Sequence, residues 1–343
     1  MADRAIIVGI GRYPELPPDL QGAKNDAQRF YDWVTTHGGV HPDHALLLLG
    51  DEPPAGMAVD GHPTAESLKR QFDRLEDDAT RSADGRAGDR LYLYFSGHGF
   101  GQNLDDASLL MADATSRRPR NHIPGKLWAD HFFTNGYFRE VLLFLDCCRQ
   151  RYASATLNGP GTTMSPVPPP GARRFYGFAA KYGRLAVERP IDGRTSGVFT
   201  TTLLDALQGG AAEEDGRVTG ESLKAYLYEN MKGFLSQADL DDKDVAQEPD
   251  LYCDLPEDQM VIATVPPSQF EVTIPLPPGS HGSALQLFGE KGGRKYTKIS
   301  AGVGDASLQW RVTLLRGTYQ LLVNATSLIV TVKGRGVIDV ARA

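Results

Sequence analysis

Two short apolar runs in this chain of 343 residues each lead into a reactive side chain. The run Leu91–Phe95 is followed by Ser-Gly-His-Gly, which contains His98, and the run Val141–Leu145 is followed by Asp-Cys-Cys-Arg, which contains Cys148. A cysteine attacks as its thiolate, and a nearby histidine can activate the thiol and later protonate the leaving group. A fold that unites these two groups would therefore produce a nucleophilic hydrolase.

The elements that must position them follow an α/β pattern up to about residue 262. Five apolar runs have the continuous character of strands buried on both faces: Ala5–Ile10, Ala45–Leu49, Leu91–Phe95, Val141–Leu145 and Phe175–Ala180. Amphipathic stretches with helical spacing alternate with them: Asn25–Thr36, Ala65–Leu75, Phe199–Leu207 and Glu221–Phe234. This alternation predicts a parallel sheet with right-handed crossovers, whose working groups lie at the carboxyl ends of the strands.

The period changes near residue 264. From there on, short β-rich segments are separated by Gly, Pro, Ser or Asn, and no helical face is present. The pattern predicts a small antiparallel sandwich or barrel over Phe270–Ala343, preceded by a linker at 264–268. We therefore predict two domains, covering residues 1–263 and 264–343.

Glycines flank the candidate histidine on both sides. Because glycine has no side chain, it leaves its amide N–H unobstructed and lets a substrate approach closely. We predict that the N–H groups of Gly99 and Cys148 hold an oxyanion, each donor contributing about 3 kcal/mol. No Asp or Asn is evidently placed to orient His98, so the sequence predicts a catalytic dyad.

The stretches SGHG and DCCRQ resemble the caspase-like cysteine peptidases, especially the metacaspase and bacterial branch. The caspase signature Q-A-C-[RQG]-G has its histidine about 50 residues upstream, and His98 lies fifty residues before Cys148. In this register Cys148 is the nucleophile and Cys147 the small residue before it; a shift of one would exchange them. The resemblance spans about residues 4–255. It implies a caspase-like, mostly parallel sheet flanked by helices and the activity of a cysteine endopeptidase.

The resemblance also implies a substrate pocket at Asp26, Ser96 and Asp146. Caspases that cut after aspartate carry glutamine where this chain has Asp146. Two carboxylates in one pocket would favour a basic side chain, and an arginine can be held through two parallel hydrogen bonds. We predict cleavage of proteins and peptides after Arg or Lys.

Many members of the resembled family are activated by cleavage after the catalytic cysteine. The Pro/Gly-rich segment Gly159–Gly171 predicts an exposed, mobile loop, and it leads into Arg173 and Arg174. We predict a zymogen that is cut at this arginine pair by itself or by an upstream protease. Arg149 and Arg151 are the alternative sites within the 149–174 segment.

Calcium binding by aspartates is a further family feature. Asp105, Asp106 and Asp113 follow His98, but the paired acids that the family pattern places later are not evident in HIPGKLWADHF. We therefore expect no metal and no required cofactor, with calcium as the alternative.

Composition excludes several classes of protein. The formal net charge is -7 and no dense Lys/Arg block is present, so we expect no nucleic-acid partner. The first apolar stretch is too short for a signal peptide core, and none approaches the roughly 18 residues of a membrane span. The three cysteines do not form a disulfide framework, which indicates a reducing compartment, and we predict a cytoplasmic protein.

The resemblance permits a biological role as a proteolytic effector in bacterial stress, cell death or antiphage defence, including CRISPR-linked pathways. Two alternatives stay open. The chain could be an inactive, peptidase-shaped interaction scaffold in which the C-terminal β domain does the work. It could also be a related thiol hydrolase that acts on non-protein amides.

Overall fold

The computed structural model describes most of the chain. The described ranges are 2–13, 16, 18–50, 62–101, 104–115, 121–151, 159–160, 168–246, 248–253, 260–291, 294–324 and 326–342. The chain divides into two compact units. The first comprises Met1–Leu204 and Phe234–Glu257, and the second comprises Asp205–Gly233 and Asp258–Ala343.

The described residues form twenty strands and six α-helices, numbered in chain order. The strands are β1 (Arg4–Ile10), β2 (Ala45–Gly50), β3 (Arg90–Ser96), β4 (Gly99–Phe100), β5 (Ser108–Leu110), β6 (His122–Pro124), β7 (Glu140–Asp146), β8 (Arg173–Phe178), β9 (Glu188–Ile191), β10 (Arg194–Gly197), β11 (Arg217–Thr219), β12 (Asp250–Cys253), β13 (Val261–Thr264), β14 (Gln269–Pro275), β15 (Ala284–Lys291), β16 (Arg294–Val303), β17 (Gln309–Leu315), β18 (Gly317–Val323), β19 (Thr326–Val332) and β20 (Ile338–Arg342). The helices are α1 (Ala23–Thr36), α2 (Ala65–Arg81), α3 (Gly125–Thr134), α4 (Val198–Asp205), α5 (Gly220–Asn230) and α6 (Gln237–Asp241).

A six-stranded sheet in the order β12-β8-β7-β3-β1-β2 forms the centre of the first unit. The five strands from β8 to β2 are parallel to one another, and β12 is antiparallel to β8 at the edge. The mostly parallel sheet predicted from the alternating pattern is confirmed. For function the important pair is β3 and β7, which are direct neighbours with Ser96 opposite Asp146.

Both faces of this sheet are covered, which explains the continuous apolar runs. Every residue of β3 and β7 after the first is buried. On one face, the ring of Phe30 in α1 stacks on Tyr94 with centroids 4.4 Å apart. On the other, Leu93 and Leu143 belong to an apolar cluster that includes side chains of α2 and α3. Alternate residues of each strand thus contact different helices, so the strand ends are held rigidly.

Helix α3 was not among the predicted helices. It lies between β3 and β7, where a crossover helix is required, and contributes Trp128 and Phe132 to the apolar cluster. Two small sheets, β4-β5-β6 and β9-β10, complete the surroundings of the strand ends in the first unit.

Antiparallel sheets make up most of the second unit, as its short β-rich segments predicted. They have the orders β14-β17 and β16-β15-β18-β19-β20, and a further pair joins β11 to β13. The second unit also contains residues 205–233, which include α5. The sequence analysis had assigned these residues to the first domain, with the boundary between residues 263 and 264. Helical periodicity identifies an element but not the unit in which that element packs.

Within the described ranges, none of the helices combines the length and the apolar composition that a membrane span requires.

Candidate active site

His98 and Cys148 both line one cavity of about 450 Å³ at the carboxyl ends of β3 and β7. Its lining includes the last residue of each strand and the two residues that follow it: Ser96, Gly97, His98, Asp146, Cys147 and Cys148. Because the strands are parallel and pair Ser96 with Asp146, positions 98 and 148 lie two residues beyond the same level of the sheet. The structure thus brings together the two groups that the sequence singled out.

The imidazole of His98 is oriented by a main-chain carbonyl. Its Nε2 lies 2.8 Å from the carbonyl oxygen of Pro18. A carbonyl can only accept, so Nε2 carries the proton, and in the neutral ring Nδ1 is the basic nitrogen. Tyr13 supports the same residue, since its hydroxyl accepts the His98 N–H at 2.9 Å and the two rings are in contact. The group that orients His98 is therefore a main-chain carbonyl, and not an Asp or Asn side chain that the sequence could reveal.

The thiol of Cys148 is half-buried and contacts a different carbonyl. Its Sγ lies 3.5 Å from the oxygen of Ala186. Burial raises the pKa of the Cys148 thiol above its ordinary value, and the carboxylates of Asp146 and Glu188 raise it further. The thiol is therefore neutral at rest, and it needs a base to become the attacking species.

Cys147 has a packing role. It is only 2% exposed and belongs to the apolar cluster of the first unit. Burial raises the pKa of its thiol strongly. A side chain at Gly99 would place its Cβ 2.5 Å from the Cys147 sulfur, so this packing also explains why position 99 is glycine. The burial favours Cys148 over Cys147 as the nucleophile.

Two of the predicted substrate-binding residues line the cavity. They are Ser96 and Asp146, both buried. Asp146 accepts hydrogen bonds from the backbone N–H and the hydroxyl of Thr200, at 3.0 and 2.6 Å. Burial raises the pKa of Asp146 to about 6.

Asp26 adjoins the same region through Gly197. Its Oδ2 accepts the Gly197 N–H at 2.7 Å, and Gly197 itself lines the cavity. A Cβ at Gly197 would overlap the Asp146 carboxylate. Both carboxylates therefore lie next to Gly197. Burial, followed by repulsion from Asp146, raises the pKa of Asp26 to about 8. The pair therefore gains negative charge as the pH rises through the neutral range.

Glu188 is a cavity residue to which the sequence analysis gave no role. Its two oxygens accept the backbone N–H groups of Gln21 and Gly22, at 3.0 and 2.9 Å. The segment held in this way also contains Pro18, whose carbonyl orients His98. A single acid after an apolar stretch does not indicate a contact with backbone groups 166 residues away.

Arg149, an alternative cleavage site, is fully buried. Its guanidinium donates to the Asp250 carboxylate and to the Leu104 carbonyl, both at 2.6 Å, and lies over the ring of Phe178. It therefore holds the chain directly after Cys148 in place. Arg151, by contrast, is exposed and lines the cavity.

The arginine pair 173–174 lies in strand β8. The sequence analysis had placed it at the end of the preceding loop. Arg174 donates to Asp130 at 2.7 Å and to the Tyr252 hydroxyl at 2.6 Å. Its guanidinium also lies over the rings of Phe133 and Tyr252. Cleavage at this pair would require the first residues of β8 to leave the sheet. In the predicted loop Gly159–Gly171, residues 161–167 lie outside the described ranges.

The aspartates considered for calcium have other contacts. Asp106 accepts the backbone N–H groups of Ala107 and Lys126. Asp113 accepts the backbone N–H of Ala65 and the side-chain amide N–H of Asn121. No group of three or more His, Cys, Asp or Glu side chains placed to hold a metal occurs in the part of the chain that the structure describes. The expectation that no metal is required, with calcium as the alternative, stays a prediction.

The chain is similar to several known proteins. Residues 2–259 match the family model described as the caspase domain. The chain is 28% identical over 219 residues to a probable protease from a Desulfuromonadales bacterium, an alignment covering 61% of this chain and 26% of that protein. It is 28% identical over 99 residues to metacaspase-4 of Arabidopsis thaliana, covering 29% and 21%. The crystal structure of caspase-1 from Spodoptera frugiperda has a TM-score of 0.48 and 15% identity, covering 77% of this chain and 90% of that one. The chain thus aligns with about a quarter or less of the length of these two curated relatives.

The family match and the fold together define the class of protein. The family match extends over the whole six-stranded sheet, and the chain therefore belongs to the caspase-domain family of cysteine peptidases. The resemblance and the enzyme class predicted from the sequence are confirmed at this level.

The raised pKa of Cys148 can be tested by alkylation. Because only the thiolate reacts quickly, the rate of iodoacetamide labelling at Cys148 should continue to rise above the ordinary thiol pKa of about 8.5. Tandem mass spectrometry separates Cys148 from Cys147, and Cys253 in the same sample serves as the reference. A labelling midpoint below the ordinary value would contradict a neutral resting thiol.

The role of Glu188 can be tested by Glu188→Gln. The new amide nitrogen would face a backbone N–H, and segment 18–22 would lose one of its two hydrogen bonds to Glu188. We expect kcat for a peptide substrate to fall on the order of 10-fold with a smaller change in KM, because the histidine is held less firmly. Glu271→Gln, at an exposed position of β14, is the control. A loss of thermal stability with unchanged kcat would leave Glu188 a purely structural residue.

Proposed function

We propose that the chain is an endopeptidase that cleaves proteins and peptides after Arg or Lys, with a His98/Cys148 dyad. The observation that carries this proposal is the single cavity that contains the imidazole, the half-buried thiol and the Asp146 carboxylate. A cleft of this volume is within the usual range for small ligands and side chains.

In the proposed mechanism, Cys148 attacks the carbonyl carbon of the scissile bond. Nδ1 of His98 takes the thiol proton, while Nε2–H remains bonded to the Pro18 carbonyl, which stabilises the imidazolium that forms. The N–H groups of Gly99 and Cys148 hold the oxyanion. His98 then gives its proton to the leaving amine as the C–N bond breaks, and water hydrolyses the remaining thioester.

The acidic residues account for the proposed specificity. A substrate guanidinium or ammonium beside Asp146 and Asp26 would favour the ionised form of both acids, which opposes the effect of burial on their pKa values. Ser96 lines the same cavity and can accept a further hydrogen bond. An acidic substrate side chain would meet the Asp146 carboxylate, a group of its own charge, and be rejected.

We further propose that the enzyme is made as a zymogen and is activated by cleavage in the 149–174 segment, by itself or by an upstream protease. Exposed Arg151, which lies at the cavity, supports a cut early in that segment. We also propose a role as a proteolytic effector in bacterial stress or antiphage defence, including CRISPR-linked pathways. The similarity to a probable bacterial protease and to metacaspase-4 supports the proteolytic part of this role.

The test compares fluorogenic peptides that end in Arg, Lys or Asp, with and without calcium, between pH 6 and 8. Wild-type protein should cleave the Arg and Lys peptides, and kcat/KM should rise with pH because Asp146 and Asp26 ionise near pH 6 and 8. Cys148→Ala should lose activity by about 10³-fold or more, whereas the Cys253→Ala control should not. Asp146→Asn should lower kcat/KM for the Arg peptide on the order of 10²-fold.

Three results would overturn parts of this proposal. Equal signals from wild-type and Cys148→Ala protein would remove the activity and favour an inactive scaffold. Preference for the Asp peptide would refute the pocket. Activity retained in Cys148→Ala but lost in Cys147→Ala would show that the register is shifted by one. Fragments seen on a gel for wild type alone, sequenced at their new termini, would locate the activation cut.

A further inference from the structure

Arg151 is a cation at the catalytic cavity whose charge the proposed mechanism does not use. It lines that cavity and is exposed. Its guanidinium lies over the ring of Tyr182, 5.4 Å from the ring centroid. Within the part of the chain that the structure describes, no carboxylate comes within ion-pair distance of it. Because the face of a ring attracts a cation without neutralising it, the charge of Arg151 stays available.

Backbone hydrogen bonds hold the chain at Arg151 on both sides. The Gly101 N–H donates to the Gln150 carbonyl at 2.9 Å, and Gly101 and Arg151 form a parallel β-bridge. On the other side, the Gly183 N–H donates to the Arg149 carbonyl at 2.8 Å. The carbonyls that accept belong to residues 149 and 150, so a cut after Arg151 would leave both bonds in place. Arg151 is therefore a fixed part of the cavity wall.

Along the chain from Tyr182 to Glu188, the surroundings of the cavity change from basic to acidic. Tyr182 contacts Arg151. Four residues later, the carbonyl oxygen of Ala186 lies 3.5 Å from the sulfur of Cys148. Two residues further on, Glu188 lines the cavity. The nucleophile thus lies between the arginine and the acidic residues.

The acidic side of the cavity is centred on Gly197. Glu188 pairs with Gly197 in the β9–β10 hairpin, and a Cβ at Gly197 would overlap the Asp146 carboxylate. On the basic side, the four residues from Tyr182 to Ala186 span at most about 14 Å. The first two residues of a peptide that leaves the nucleophile in this direction can cover that distance with their side chains.

We propose that Arg151 is a specificity-determining residue that selects substrates with Asp or Glu among the first two residues after the scissile bond. This inference rests on the proposed function, which puts the basic side chain of the substrate at Asp146 and the scissile carbonyl at Cys148. The leaving-group side of the peptide then faces Arg151, whose guanidinium can bind a carboxylate through two parallel N–H groups. The substrate class is therefore proteins in which a basic residue is followed at once by an acidic one.

The test uses internally quenched peptides and the full-length protein. All peptides carry Arg before the scissile bond and have Asp, Ala or Lys at the first or the second position after it. A further peptide has Asp directly before the Arg. For the wild-type protein, kcat/KM should be about 3- to 5-fold higher with Asp than with Ala after the bond, as expected for an exposed ion pair, and lowest with Lys. The preference should shrink as ionic strength rises to about 1 M, because salt screens such a pair. Asp before the Arg should bring no gain.

Three variants test the residue itself. Arg151→Gln should cleave the Asp and Ala peptides with equal kcat/KM, and Arg151→Glu should prefer the Lys peptide. Arg184→Gln removes a nearby exposed arginine that does not line the cavity, and it should keep the preference of the parent. Each comparison is a ratio between peptides for one protein, so it does not depend on how much of that protein is active.

An aminomethylcoumarin amide of Arg separates this inference from the function on which it rests, because no residue follows its scissile bond. If the wild-type protein does not cleave that amide or the peptides, the proposed function fails, and the role of Arg151 fails with it. If the amide is cleaved but the Asp, Ala and Lys peptides are cleaved alike, the role of Arg151 alone is refuted. Acid preference retained in Arg151→Gln, or lost equally in Arg184→Gln, would also refute it. A gain from Asp before the Arg would contradict the order of groups along the cavity.

Discussion

The parallel pairing of β3 with β7 is the constraint on which the rest of the site depends. With Ser96 opposite Asp146, the chain needs only two more residues on each strand to bring an imidazole and a thiol into the same cavity. Both strands are buried on both faces, so neither end can shift without disturbing the apolar core.

The acidic groups around the catalytic cavity are held by backbone hydrogen bonds, and burial opposes their ionisation. Asp26 and Asp146 accept main-chain N–H groups, yet burial raises the pKa of both. Repulsion from Asp146 raises the pKa of Asp26 further, and repulsion from Glu188 raises that of Asp146. In the proposed specificity, a cationic substrate side chain beside Asp146 would offset this repulsion. Glu188 acts differently, since its carboxylate is bonded to backbone groups of the segment that orients His98.

The sequence was sufficient for those features that depend on local patterns. The five parallel strands followed from their apolar runs, and the two reactive residues followed from their positions just after two of them. It was insufficient where contacts are distant or involve backbone groups. The Pro18 carbonyl beside His98 has no side-chain signature, and the contacts of Glu188 join segments far apart in the chain. Arg173 and Arg174 follow a Pro/Gly-rich stretch, and only pairing with β7 shows that they already belong to a strand.

The most direct measurement is covalent labelling with a peptidyl chloromethyl ketone that carries arginine next to the reactive group. The thiol displaces chloride, and the modified residue is identified by tandem mass spectrometry. The account requires that the arginyl reagent label Cys148, that an aspartyl reagent of the same length fail to do so, and that His98→Ala slow the labelling. Labelling at Cys147 or Cys253, or equal labelling by both reagents, would contradict a cavity in which these strands present a nucleophile beside an acidic pocket.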